Sequence, residues 1–360
     1  MELNDQLLRD IRFNCDITDA KDHGIYSMCT MVLKLRNHYK WEHQVEPWSE
    51  PEPADLLDWI EKKENYWEEI QQASLKNLRF HDQSIEPFNV ELVNELLDDS
   101  TLYYGAGYGR SMKSIFFLAE VLQQRSVADL PVMILGKELI REMASPFAML
   151  QNNQIIIRKE PFRYFLWDQI QEMRSSSRSS IQQFMSAYDL LKDGTLNQQQ
   201  LKQKLDLIVE QELEMIIRHE VGEYKQNALR SNTVKKLIAR FPGSRIEYIC
   251  RGIKDVLADT CPEGLLAFII KEQKLSSLGL FLGFLDGVRE VLLKEIVNYG
   301  KQQWHLPDWQ KFGQAREHCW QRLEHVATHL NELAEEMEKL SDPTVSEQFE
   351  QRIAAPLGFT

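Results

Sequence analysis

The fold class follows first from residues 196–230, which read LNQQQLKQKLDLIVEQELEMIIRHEVGEYKQNALR. Their apolar side chains recur every three or four positions, which is the spacing of one face of an α-helix. Most of the remaining chain has the same period, and its 16 glycines and 12 prolines stand mostly between the periodic segments. The sequence therefore predicts a mainly α fold, a multi-helix, bundle-like architecture with a small β-hairpin element in the middle third.

The middle third departs from the helical pattern. Residues 147–161 read FAMLQNNQIIIRKEP, in which two apolar runs flank residues 151–153. An asparagine-rich connection between two β-prone runs is typical of a hairpin, and Pro161 favours the start of a helix. We therefore expect an N-terminal helical region (1–100), a region of glycine-rich loop, helix and hairpin (101–165) and a region of long helices (166–360), with one continuous domain as the alternative.

Composition limits the partners of the chain. Its 360 residues include 55 acidic and 42 basic side chains, which gives a net charge of -13 and a pI near 5.3. This charge repels phosphate backbones and anionic lipid, so we expect neither nucleic acid nor a membrane as a partner. Five widely spaced cysteines without a CxxC pair predict reduced thiols, and the start of the chain, MELNDQLLRDIRFNCD, lacks the pattern of a signal peptide. We expect a cytoplasmic protein.

Three polar side chains lie on the apolar face of the helix within residues 196–230. On a projection at about 100° per residue, Glu212, His219 and Glu223 fall in the same arc of about 100° as the leucines and isoleucines. Burying an unpaired charge is costly, so these groups need a metal ion, a cation, a ligand or water in a cleft.

The leading hypothesis is a metal site formed by Glu212, His219 and Glu223 with side chains of another helix, as in helical bundles. Mixed carboxylate and imidazole ligands favour iron, manganese or zinc (Fe, Mn or Zn) as the cofactor. Without a metal, His219 together with Glu220 or Glu223 would serve as the catalytic acid and base. Whether the protein is an enzyme is left open by the sequence.

The alternative is an internal salt-bridge network, in which Arg36, Arg110 or Arg230 neutralises the acids. Arg110 is the best candidate of the three to oppose Glu212 or Glu223 if its side chain faces inward. If Arg110 faces Glu212 or Glu223, it also belongs to the catalytic group.

A glycine-rich stretch precedes the apolar run MKSIFFLAEVLQ, which the period predicts to be an amphipathic helix. Glycines permit close backbone approach, a serine caps a helix, and a helix N-terminus beside a lysine attracts anions. The stretch matches neither the dinucleotide-binding pattern nor the P-loop. A small anionic ligand and a structural turn are both consistent with it. The residues of this candidate binding site are Gly105, Gly107, Gly109, Ser111 and Lys113.

The C-terminal helix supports a function of another class. Its apolar positions alternate at four and three residues from Cys319 to Leu340, which makes a heptad seam. A noncatalytic interaction protein, or a homodimer held through this seam, is therefore the alternative to a binding site. Three histidines of the same helix lie beside the seam on the face that we expect to be solvated. They are His318, His325 and His329.

Four segments together resemble a bacterial family of unknown function. They are NCDITDA, the YSMCTMVLKLRNHYKWE helix, GAGYGRSMKSIFFLAE and RHEVGE. The resemblance covers most of the chain. Because no activity is assigned to that family, the resemblance implies no catalytic residues. It neither confirms nor excludes the metal hypothesis.

Overall fold

The computed structural model describes residues 5–22, 27–97, 101–109, 112–171, 178–285, 287–302 and 307–359. The chain divides into two compact units. The first comprises Met1–Arg125, Val132–Met149 and Ile156–Gln171, and the second comprises Ser126–Pro131, Leu150–Ile155 and Glu172–Thr360.

The first half of the chain combines helices with a curled sheet. Its elements are α1 (Asp5–Asp22), α2 (Met28–Glu42), α3 (Pro53–Ile70), β1 (Leu78–Phe80), β2 (Gln83–Ile85), α4 (Val90–Leu97), β3 (Leu102–Tyr108), β4 (Ser114–Val127), β5 (Leu130–Arg141), β6 (Ala148–Gln151), β7 (Gln154–Arg158) and α5 (Lys159–Gln171). β1 and β2 pair as a short antiparallel hairpin. The other five strands form a mixed sheet, a half-barrel with the order β3-β4-β5-β7-β6. Leu7 and Ile11 of α1 and Val93 of α4 join the sheet residues Phe116 and Phe117 in one buried apolar cluster.

The predicted hairpin forms as β6 and β7. Asn152 and Asn153 connect the two strands with positive φ angles of 49° and 59°, the conformation of the two-residue hairpin turn that asparagine favours. Pro161 lies in the first turn of α5, as expected.

The prediction of a mainly α, bundle-like fold is wrong. The described part of the chain is 64% helical, but its curled five-stranded sheet makes the fold an α/β mixture. The difference arises mainly at β4, where the sequence pattern predicts a helix. Residues 115–119 of β4 are all buried, so apolar side chains occupy both faces of the strand. Such a strand lacks the alternation of a half-buried strand and cannot be told from a short helix by its period.

The second half of the chain is built from helices and one two-stranded hairpin. Its elements are α6 (Arg178–Ala187), β8 (Leu191–Lys192), β9 (Thr195–Leu196), α7 (Gln198–Lys225), α8 (Ser231–Arg240), α9 (Arg245–Thr260), α10 (Leu265–Glu272), α11 (Leu275–Gly283), α12 (Gly287–Leu292), α13 (Lys294–Gln302), α14 (Trp309–Glu336), α15 (Asp342–Phe349) and α16 (Ala355–Leu357), with a 3₁₀ turn at Met337–Lys339 and a π-helical segment at Glu350–Ala354. The helix predicted within residues 196–230 is α7, and the side chain of Asn197 caps it by accepting a hydrogen bond from the amide of Gln200.

The heptad seam of the C-terminal helix lies inside this unit. Leu323, Leu330 and Leu333 of α14 are fully buried within the single chain, where α14 packs against α8, α9, α10 and α13. None of the described helices has both the length and the apolar composition needed to cross a membrane.

Candidate functional site

Two helices of the second unit, α7 and α9, approach each other closely at Gly222. A β-carbon on Gly222 would lie 2.0 Å from the carbonyl oxygen of Ala258, so no larger residue fits there without movement. Glycine inside a helix costs about 0.5–1 kcal/mol relative to alanine, and in return the two backbones come nearly into contact. Side chains of α7 and α9 on both sides of this point are therefore held within reach of one another.

The close approach brings together a histidine and two carboxylates. One potential ligand atom from each of His219, Glu223 and Asp255 lies within 4.8 Å of the other two. His219 and Glu223 come from α7, and Asp255 comes from α9. The side chains of His219 and Glu223 are 24% and 15% exposed, so solvent reaches the cluster from one side.

The imidazole of His219 is oriented by a buried carboxylate. Its Nδ1 lies 2.8 Å from Oδ1 of Asp259, and the side chain of Asp259 is 1% exposed. Because a carboxylate only accepts hydrogen bonds, Nδ1 carries the proton and donates it, which directs Nε2 away from Asp259. Nε2 lies 3.5 Å from Oε1 of Glu223. Oδ2 of Asp259 has no hydrogen-bond partner among the described residues.

The charges of the cluster shift the pKa values of its members. Burial opposes the positive charge of His219, but Asp259 and Glu223 outweigh this effect and raise the pKa of His219 well above its usual range. Burial favours protonation of Glu223, yet hydrogen bonds from His219 and Lys254 lower its pKa to about 2. Lys254 Nζ lies 2.5 Å from Glu223 Oε2. The imidazolium and the ammonium thus balance the carboxylates.

Two further acids lie beside this pair. Burial, together with the charge of Glu223, raises the pKa of Asp255 to about 6 and that of Glu220 to about 7. Glu220, which the sequence predicts as a catalytic acid or base, is thus adjacent to the cluster and partly exposed.

Glu212 is placed apart from the other two predicted metal ligands. It is fully buried, and its Oε1 accepts hydrogen bonds from Tyr188 at 2.5 Å and Ser276 at 2.8 Å. Its Oε2 accepts one from Ser277 at 2.5 Å and lies 3.4 Å from Nζ of Lys274. Ser276 and Ser277 lie in the first turn of α11, where a helix favours negative charge. Both oxygens of Glu212 therefore bind protein groups.

The described part of the predicted glycine-rich binding site lies in a β-sheet and not at the start of a helix. No helix starts at Lys113 in the described chain, because that segment continues into β4, so the helix N-terminus on which the anion prediction depends does not form. Gly105 is paired with Phe117 on β4, and a β-carbon at Gly105 would lie 2.1 Å from the Phe117 ring. Similar β-carbons at Gly107 and Gly109 would collide with Met149 and Ile115. The three glycines thus make room for neighbouring side chains.

The remaining residues of that prediction fall into two groups. Lys113 is buried, and its Nζ lies 3.0 Å from Oδ1 of Asp19. Arg110 and Ser111 lie outside the described residues, so the proposed pairing of Arg110 with Glu212 or Glu223 stays a prediction. Among the lysines and arginines of the described chain, Lys254 is the one that pairs with Glu223.

Sequence reasoning missed the α9 side of the cluster, which consists of Lys254, Asp255 and Asp259. One signal was present, because Asp255 and Asp259 are four residues apart, the same spacing as His219 and Glu223. The three histidines of α14, which were expected on a solvated face, are exposed.

Comparison with known proteins identifies a family. The model of the N-terminal domain of a family of unknown function (DUF6866) matches residues 6–158, and the model of its C-terminal domain matches residues 163–352. The expected likeness to a family of unknown function is confirmed. No curated protein and no solved structure matches the chain.

Proposed function

Because the chain belongs to the DUF6866 family, whose function is unknown, we propose from its side-chain geometry that it binds a divalent transition-metal ion through His219, Glu223 and Asp255. The observation that carries the proposal is the convergence of these three donors from two helices. Each is a group that coordinates metals, and a small shift of the side chains would place all three around one ion.

The chemistry of the donors narrows the choice of ion. One imidazole and two carboxylates suit iron, manganese or zinc, whereas copper and iron–sulfur clusters prefer softer ligands. Three protein ligands on a partly exposed face leave coordination positions for water or a substrate, as catalytic metal sites do. Asp259 supplies another feature of metal sites. A ligating histidine nearly always donates its other N–H to a carboxylate or carbonyl, and His219 donates its Nδ1 proton to Asp259.

The metal proposal also assigns roles to residues beside the three ligands. Lys254 would release Glu223 when an ion arrives, since its ammonium lies 2.5 Å from one oxygen of that carboxylate. An enzymatic role for the site, with His219, Glu220 or Glu223 in proton transfer, remains a further step of the hypothesis. We also propose a cytoplasmic location, which the five free cysteines support.

Metal analysis of the chain purified without a histidine tag tests the proposal. After removal of metals with EDTA, addition of Mn²⁺, Zn²⁺ or, under anaerobic conditions, Fe²⁺ should raise the midpoint of thermal unfolding. An ion at about 100 times its Kd stabilises the folded state by about 2.7 kcal/mol, which corresponds to several degrees for a unit of this size.

A pair of histidine variants makes the experiment specific. His219→Ala should abolish the shift, whereas His329→Ala should retain it, because His329 is an exposed residue of α14 whose ring lies 3.7 Å from Glu332. If none of the three ions stabilises the EDTA-treated chain, or if the two variants respond equally, the metal proposal is wrong.

A further inference from the structure

The first unit contains a cavity of about 780 Å³ that shares no residue with the metal cluster. Its walls come from α1, α2, α3, β5 and α5 and from the segment between α2 and α3. Small-molecule sites in proteins usually have volumes of about 300–1,000 Å³. The cavity therefore has the size of a metabolite site, and the character of its walls indicates which ligand it fits.

Arg141 is a buried lining residue of this cavity and has N–H groups that are not hydrogen-bonded to any described residue. Its side chain is 4% exposed. One terminal nitrogen donates to the carbonyl oxygen of Asn37 at 3.2 Å, and the other lies 3.5 Å from Oε2 of Glu138. Its Nε has no hydrogen-bond partner among the described residues. A guanidinium has five N–H donors, so several remain for a ligand.

The position of Arg141 is fixed by aromatic rings. Its guanidinium carbon lies 4.8 Å from the ring centre of Trp41 and 5.7 Å from that of Tyr164. Both rings line the cavity as well. The Trp41 indole donates to the carbonyl oxygen of Glu138 at 3.0 Å, and the Tyr164 hydroxyl donates to the carbonyl oxygen of Val45 at 2.7 Å. The guanidinium is thus held in place before any ligand binds.

The charge of Arg141 is only partly neutralised by the protein. Glu138 is the acid nearest to it, and Glu160 acts on it from farther away. Oε1 of Glu138, however, lies 2.5 Å from Nε of Arg158, which is fully buried. The closer ion pair of Glu138 is therefore the one with Arg158. Burying a charge without a full partner is unfavourable, and an anionic group in the cavity would supply that partner.

His38 adds a second polar group to the same wall. It is 4% exposed, and its ring centre lies 5.1 Å from that of Trp41. Burial, with smaller contributions from Lys63 and Arg141, lowers the pKa of His38 well below its usual range, so the ring is neutral at pH 7. Its Nδ1 has no hydrogen-bond partner among the residues the structure describes. A neutral imidazole both donates and accepts, which suits the polar atoms of a ligand.

Most of the other charged side chains of the cavity are already bound to protein groups, and Glu160 accepts a hydrogen bond from the backbone amide of Glu138 at 2.9 Å. Lys63 lies 3.4 Å from Asp16 and 3.5 Å from Glu42, and Arg163 is likewise paired with Glu46. These acids are therefore already matched.

Two lining cations form no direct ion pair among the described residues, although the charge of Lys137 acts on the carboxylate of Glu160. Arg12 and Lys137 are exposed, and neither forms an ion pair with any residue in the described part of the chain. Exposed cations that line a cavity attract anions from solution.

We propose that this cavity binds a small organic anion, whose carboxylate or phosphate group contacts Arg141 and His38. Arg12 and Lys137 attract the anion, and the aromatic rings of Trp41 and Tyr164 position Arg141 for it. The proposal concerns the first unit alone and does not depend on metal binding in the second.

Thermal unfolding and calorimetric titration of the full chain with four probes test this. The probes are succinate, benzoate, phenyl phosphate and inorganic phosphate, so that the arms separate carboxylate from phosphate and organic from inorganic anions. At least one organic anion should bind with a stoichiometry of one and raise the midpoint of unfolding. His38→Gln should weaken the binding of that anion about tenfold, because the substitution alters the buried hydrogen bond between residue 38 and the anion.

A pair of double variants separates a specific site from a general effect of charge. Arg12→Gln with Lys137→Gln removes two exposed cations of the cavity and should weaken binding about threefold or more at low salt. Arg230→Gln with Lys236→Gln removes the same charges from exposed positions of the second unit and should leave binding unchanged. The proposal is overturned if no organic probe binds, if both double variants weaken binding equally, or if His38→Gln has no effect.

Discussion

Gly222 of α7 and Ala258 of α9 are so close that a β-carbon on the glycine would lie 2.0 Å from the alanine carbonyl oxygen. This contact lies between His219 and Glu223 along α7, and between Asp255 and Asp259 along α9. It therefore sets the separation between the three proposed metal ligands and Asp259, which orients His219. The helices run antiparallel here, because His219 contacts Asp259 while Glu223, one turn later, contacts Lys254.

Replacing Gly222 by alanine should separate the two helices and weaken the metal site. Inserting one carbon into a packed interface costs about 1–3 kcal/mol, which exceeds the gain of about 0.5–1 kcal/mol from removing a helical glycine. Chemical unfolding should show a lower stability for Gly222→Ala, and titration should show weaker binding of Mn²⁺ or Zn²⁺.

Gly313 provides the matched control. It lies inside α14, and a β-carbon there would meet no atom within 4 Å. Gly313→Ala should therefore stabilise the chain by up to about 1 kcal/mol and leave metal binding unchanged. A Gly222→Ala variant that is as stable as wild type and binds metal equally well would show that the close approach does not control the site.

Part of this site could be predicted from the sequence, because helical periodicity is a local property. The positions of His219 and Glu223 on the apolar face of α7 follow from their spacing alone. Asp255 and Asp259 lie about forty residues away in sequence, and their approach depends on which helix packs against α7 at Gly222. No local pattern encodes that choice of partner.

Glu212 and β4 show two other limits of the sequence. The period places Glu212 on the buried face, and it is buried, but its partners Tyr188, Ser276 and Ser277 come from distant segments. A local sequence pattern therefore does not show whether a buried acid binds a metal ion or accepts hydrogen bonds from serines. Residues 115–119 of β4 are buried on both faces, so this apolar run has no period from which strand and helix could be distinguished.

Asp259→Asn should weaken metal binding without removing a ligand. The carboxylate accepts the Nδ1 proton of His219 at 2.8 Å, and loss of such an outer partner typically lowers metal affinity about 10–100-fold. Competition with a chromophoric chelator measures the change. Asp255→Asn, which removes a proposed ligand, should have the larger effect, and equal affinity of Asp259→Asn and wild type would contradict the orienting role.

Glu212→Gln should lower stability and leave metal affinity unchanged. The carboxylate accepts three hydrogen bonds from hydroxyl groups, and an amide group in its place leaves a buried polar atom unmatched, at a cost of about 1–3 kcal/mol. Glu214→Gln is the control, because Glu214 forms an i,i+4 ion pair with Arg218, worth about 0.3–0.5 kcal/mol. Weaker metal binding by Glu212→Gln would instead show that Glu212 is a metal ligand, as the sequence predicts.

The stabilising effect of Asp10 should depend on pH. Burial raises the pKa of Asp10, but hydrogen bonds from Arg79 and Gln6 outweigh it and lower the pKa below its ordinary value. The backbone amide of Arg79 donates to Oδ2 at 3.1 Å, and its guanidinium donates to both carboxylate oxygens. A group whose pKa is lower in the folded state stabilises the fold above its unfolded pKa of about 4. This stabilisation is lost as the pH falls through the folded pKa.

Asp10→Asn should therefore be less stable than wild type at pH 7, and the difference should shrink as the pH falls below about 4. Urea unfolding of both proteins across this range measures it. Asp82→Asn, at an exposed position in the turn of the β1–β2 hairpin, serves as the control and should show little difference from wild type at either pH. If the difference between wild type and Asp10→Asn were the same at pH 7 and at pH 3, the stabilisation would not arise from the ionised carboxylate and its hydrogen bonds to Arg79.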